Sequence, residues 1–144
     1  MSTQLHRKHR RGANAIEFGL TLPVFMAIIM GIIDFGYYFA AQAILDAAVL
    51  EGTREGAITD PAGGGDLEAI AEAEIYNIAS MICADECSYS CVDQVVNHNF
   101  GGDTFPIREL DCTVTWAITP LVGFSPIPAT VSSRGRQLLE WQRN

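Results

Sequence analysis

Basic side chains are nearly absent from this chain beyond its first twelve residues. Arg7, Lys8, Arg10 and Arg11 lie before Gly12. After it only Arg54, Arg108, Arg134, Arg136 and Arg143 remain, against all seventeen acids. Such an acidic surface repels phosphate backbones, which argues against nucleic acid as a partner. Histidine is also scarce: His6 and His9 fall in the basic segment, leaving His98. The sequence shows no catalytic set, phosphate-binding loop, dinucleotide fingerprint or standard zinc spacing. It reads as a non-enzyme with no cofactor and no bound metal.

Charge of either sign is missing from Phe18 to Ile33, FGLTLPVFMAIIMGII; Asp34 interrupts, and FGYYFAAQAIL continues to Leu45. About 20 mainly apolar residues suffice to cross a bilayer. The alternative, a buried core helix, would need more protein around it than a small domain supplies. The basic cluster precedes the run, and Asp46, Glu51 and Glu55 follow it with one Arg54. The positive-inside rule then puts the N-terminus in the cytoplasm and the bulk of the chain outside. No small-residue cleavage site follows a short apolar core, so any cut is expected before the span. Pro23 predicts a bend near Gly19, because proline lacks a donor and crowds the carbonyl four residues back. Gly31 and Gly36 are five apart and do not form the small-residue repeat of packed spans.

Glu17 stands at the entrance of this run. An ionisable group there is costly and usually paired, although so near the end it could also snorkel to the interface. It is the fifth residue after Gly12 in GANAIEF, with basic residues before the glycine and an apolar helix after. This arrangement resembles the processing site of type IV pilins and pseudopilins. The resemblance implies cleavage between Gly12 and Ala13 by a membrane prepilin peptidase on the cytoplasmic side. It also implies that Glu17 pairs with the new N-terminal amine of a neighbouring subunit, since an unpaired charge in lipid costs several kcal/mol.

The longer stretch narrows the resemblance. Gly12, Glu17 and Phe18, the proline-containing span with Pro23, the Ile32-Ile33-Asp34-Phe35-Gly36 step and the Glu51-Gly52-Thr53-Arg54 ending together are similar to the TadE-like family. These are minor pseudopilins of tight-adherence (Flp) pilus machinery. The likeness covers about the first 58 residues well and is weaker towards TPLVGFSPIPATVSSR. It implies a bacterial inner-membrane protein that supports or initiates pilus assembly. The implied partners are the major Flp pilin, other minor pseudopilins, the prepilin peptidase, the inner-membrane assembly platform and the lipid bilayer. The rival reading is an uncleaved, membrane-anchored extracytoplasmic binding module. Asp34 lies seventeen residues beyond Glu17, about 25 Å along a helix. It should sit near the outer interface, either as a subunit contact or as an interfacial acid, with Tyr37 and Tyr38 as an aromatic belt.

The expected organisation is a basic cytoplasmic leader (1–12), a transmembrane helix with its extracytoplasmic continuation (13–58) and an extracytoplasmic α+β domain (59–144) of the pilin-like kind. Glu51 and Arg54 are expected to pair on the helix surface. Asp66 is a good N-cap for a helix with the apolar stripe Leu67, Ile70, Ala71, Ile75, Ile78, Ala79 and Ile82; Glu68 and Glu72 lie off it. SCVDQVVNHNF and ELDCTVTWAIT read as antiparallel strands, with one more near Ala129 to Ser133. Cys83, Cys87, Cys91 and Cys112 all fall outside the span, where an even count favours disulfides in one of three connectivities. A turn at Gly101-Gly102 would set Cys91 opposite Cys112 and leave Cys83 with Cys87, although Pro106 weakens so simple a register. The rival is a metal or thiol site of Cys83, Cys87 and Cys91 near His98, at a spacing unlike that of zinc sites.

Overall fold

The structure is a computed structural model. It describes residues 5–60, 63–123 and 126–139, the side chains of 5–14 and of Phe100 excepted. The fold is α+β. Helix α1 (Leu5–Ile58) is followed by α2 (Leu67–Cys83), a 3₁₀ turn (Ala84–Glu86) and strands β1 (Cys87–Phe100), β2 (Asp103–Ala117) and β3 (Thr130–Leu138). Two compact units result: Met1–Tyr37 with Pro120–Ile127, and Tyr38–Thr119 with Pro128–Asn144.

In the first unit α1 is apolar; it is exposed on all sides from Ala15 to Met26, and beyond that one face, from Ala27 through the buried Asp34, is partly covered. Ile16, Leu20, Val24, Phe25, Ile28 and Ile32 all face outwards. From Ala15 onwards the helix is long and apolar enough to cross a membrane. Only a fully hydrogen-bonded helix or a closed barrel tolerates that environment. The Thr21 hydroxyl bonds back to the carbonyls of Glu17 (3.1 Å) and Phe18 (3.2 Å), so it brings no unmet donor to the apolar surface. Helical structure continues without a break through Gly19 and Pro23.

In the second unit α1 becomes amphipathic. Ala41, Leu45, Ala48, Val49, Gly52, Thr53 and Gly56 are buried at three- and four-residue spacing, the period of one helix face. The Asp66 carboxylate caps α2 by accepting from the N–H groups of Glu68 (3.1 Å) and Ala69 (3.2 Å). Leu67, Ala71, Ile75 and Ala79 are buried, while Ile70, Ile78 and Ile82 border the core. Glycine lets the two helix backbones touch. A Cβ on Gly52 would lie 2.8 Å from the Ala71 carbonyl, and one on Gly56 2.9 Å from that of Leu67.

The sheet has the order β1-β2-β3, antiparallel throughout. Gly101 and Gly102, both at positive φ (64° and 101°), make the two-residue turn that such backbone angles favour. This turn sets Phe100 opposite Asp103 and Cys91 opposite Cys112. Leu110, Cys112, Val114 and Trp116 alternate into the core from β2, and Val131 joins them from β3. Gly135 admits α1 closely, since a Cβ there would meet the Val49 side chain and come within 3.4 Å of Thr53.

Pro106 belongs to β2 after all, opposite Asn97. Arg108, of the same parity, presents its carbonyl to Leu139 on the β3 side. The missing donor of Pro106 therefore faces that side too, and the β3 ladder reaches only to Glu109. The strands begin earlier than the valine-rich runs announced, at Cys87 and Asp103. The third extends past Ser133 to Leu138, because its polar residues alternate across a sheet with one buried face.

Candidate assembly site

Gly12 and Ala13 lie within the helical backbone of α1. Glu17 is exposed, and among the described residues no group pairs with its carboxylate. Phe18 beside it is also exposed, at 65%. These two side chains present an acid and an aromatic ring outward at the start of the apolar stretch.

Asp34 is the opposite case. It is fully buried, at 0% exposure. The backbone N–H of Val122 donates to its Oδ1 at 2.8 Å. Both residues belong to the first unit, where the segment Pro120–Ile127 accompanies α1. A polar group at this level of an apolar helix is satisfied by the chain itself. Sequence reasoning placed Asp34 at an interface but did not find this partner. The hint was available: no charged residue occurs between Asp111 and Arg134, so the segment that contains Val122 is unusually apolar for a loop.

The cysteines are joined as Cys83–Cys87 and Cys91–Cys112, with Cα separations of 5.7 and 4.1 Å. The first bridge spans the turn at Ala84, a non-glycine residue held at φ 44°. The second crosses two neighbouring strands, and its short Cα separation suits a directly opposed pair that exchanges no backbone hydrogen bonds. The outward N–H groups of β1 go elsewhere. Cys91 donates to Glu72 Oε1 at 3.0 Å, and Asp93 donates to Glu68 Oε1 at 2.8 Å. Two acids one helical turn apart on α2 thus meet two donors two residues apart on an edge strand. Their position off the apolar stripe marked them as polar, but not as edge caps.

The other sheet face is polar. The Asp111 carboxylate accepts from Gln94 (3.1 Å), from Arg136 Nε (3.0 Å) and from Arg134 Nε (2.8 Å) and Nη2. The Arg134 hydrogen bond is the main reason that Asp111 titrates below the ordinary carboxylate range. Burial opposes it, and the charges of Arg134 and Arg136 reinforce it. The same pairing raises Arg134. An open depression of about 210 Å³ lies over Ser90, Val92, Gln94, Asp111, Thr113 and Arg134. Its one acid is already occupied by these neighbours. His98 Nε2 lies 2.6 Å from Glu109 Oε1, and Arg108 pairs with Asp93. Glu51 and Arg54 approach to 3.6 Å on the exposed side of α1.

A comparison with protein families matches TadE-like protein over residues 12–54. The segment is TadE-like. The match takes in Gly12, Glu17, Phe18, Pro23, Asp34, Gly52 and Arg54. The comparisons found no match among the curated proteins or the solved structures. The TadE-like segment thus runs from the candidate processing site, through the membrane-capable helix, to the glycine that seats α1 on α2.

Proposed function

We propose that this chain is a minor pseudopilin that supports or initiates assembly of a tight-adherence (Flp) pilus. Residues 1–12 act as the cytoplasmic leader. A prepilin peptidase cuts between Gly12 and Ala13, and a residue without a side chain suits close approach to the catalytic groups of a protease. Residues 13–58 carry the chain through the bacterial inner membrane, and residues 59–144 lie outside the cytoplasm.

The observation that supports this reading most strongly is the contrast between the two acids of the apolar helix. Asp34 is buried and bonded within its own chain, whereas Glu17 is exposed without a partner among the described residues. A carboxylate in lipid favours a nearby cation, because an uncompensated charge there costs several kcal/mol. The amine created at Ala13 of an adjacent pilin-like subunit supplies that cation. Glu17 and Phe18 thereby bring the subunit into a growing assembly in one register. The major pilin, other minor pseudopilins and the assembly platform are the proteins it meets there.

Glu17→Ala tests the pairing. The variant should be made, inserted and cut normally, but should not be recovered with pilin-like subunits after mild detergent extraction. Recovery equal to that of the unmodified chain would contradict the pairing.

A further inference from the structure

We infer that the segment around Leu121 and Val122 is a second membrane-contacting element, seated in the outer headgroup–acyl boundary and held there by Asp34. The inference rests on the reading of α1 as a membrane span.

Three observations carry it. The first is composition: Cys112 to Ser133 contains no charge, and Leu121 and Val122 are 64% and 44% exposed. Connecting loops in water are ordinarily polar at the surface. The second is placement. Pro120–Ile127 shares a compact unit with α1 up to Tyr37, whose side chains Ile32, Ile33 and Phe35 are themselves exposed. The apolar surface of the loop thus continues that of the span. The third is the hydrogen bond itself. Irregular backbone is tolerated at an apolar boundary only where its polar groups are satisfied. The Val122 N–H is satisfied by Asp34, and Asp34 is at the same time withdrawn from lipid.

Depth fits as well. Asp34 lies about 25 Å along the helix from Glu17, close to the roughly 30 Å of a hydrocarbon core. The loop that it holds therefore falls at the outer boundary, where apolar groups bury themselves by about 5–10 Å. The occupant of this surface is lipid rather than a second protein.

The test uses the full chain in vesicles at high lipid-to-protein ratio. All four native cysteines are paired, so a thiol-reactive environment-sensitive fluorophore attaches only to an introduced cysteine. Leu121→Cys carries the probe, and Ile28→Cys in the span is the reference. The expected result is blue-shifted emission at both sites. Nitroxide lipids should quench the Leu121 probe more from a shallow position and the Ile28 probe more from a deep one. Quenching at Ile28 with water-like, unquenched emission at Leu121 overturns the loop's insertion while the span stands. No quenching at Ile28 overturns the span and the insertion with it. A blue shift at Leu121 that fades on dilution in lipid means that a second protein copy covers the loop, which also overturns the inference.

Discussion

The backbone N–H of Val122 donates to the carboxylate of Asp34 at 2.8 Å, across 88 positions of sequence. Leaving a buried donor unmet costs about 1–3 kcal/mol. Asp34→Ala should therefore speed hydrogen exchange at Val122 roughly 5- to 150-fold at 25 °C, the kinetic equivalent of that energy. Asp34→Asn keeps an acceptor oxygen and should lose less. Exchange in Asp34→Ala equal to that of the unmodified chain would remove Asp34 as the holder of this loop.

Gly52 and Gly56 set the contact between α1 and α2. A methyl group added at Gly52 would approach the Ala71 carbonyl to 2.8 Å, and one at Gly56 the Leu67 carbonyl to 2.9 Å. Overpacking of this kind costs about 1–3 kcal/mol. Gly52→Ala should lower the denaturant midpoint correspondingly, whereas Gly36→Ala, which meets nothing within 4 Å, should leave it unchanged. Equal effects at the two sites would contradict the close approach.

The edge of β1 depends on Glu68 and Glu72. Removing either carboxylate leaves a part-buried N–H unmet, a loss of about 1–3 kcal/mol. Glu72→Ala should destabilise more than Glu72→Gln, which keeps a carbonyl oxygen for Cys91. Urea unfolding in detergent compares them. Identical losses for the two variants would mean that side-chain packing, not the hydrogen bond, matters at this edge.

Asp111 makes stability depend on acid. Its carboxyl titrates below the ordinary range in the folded chain, chiefly through the Arg134 hydrogen bond. A depressed folded value stabilises the fold above the unfolded value, near pH 4. That contribution disappears as pH falls through the lower, folded value. In Asp111→Asn the melting temperature should drop at neutral pH, and the gap to the unmodified chain should narrow below about pH 4. A gap constant with pH would place the effect in packing rather than charge.

Much of this architecture is legible from local patterns. A turn that requires two positive φ values sits where Gly101-Gly102 stands, and that alone fixes the Cys91–Cys112 register. Asp66 and the stripe from Leu67 to Ala79 give α2, because a cap and a 3.6-residue period depend only on neighbours in sequence. The contacts that were not legible join distant segments. Nothing near Asp34 announces Val122, and nothing near Gly52 announces Ala71. Glu68 and Glu72 look like solvated acids until β1 lies beside them. Pro106 looked disruptive in the strand, yet its missing donor faces the side on which the β3 ladder has already ended.

The most direct test of the account is the N-terminal sequence and intact mass of the protein from native membranes, with and without the prepilin peptidase. The account predicts a chain beginning at Ala13 when the peptidase is present and an uncut chain when it is absent. A start at Met1 or Ser2 in both would contradict processing at Gly12. Glu17 would then have no neighbouring amine at Ala13 to meet, and an uncleaved, membrane-anchored binding module would be the better description.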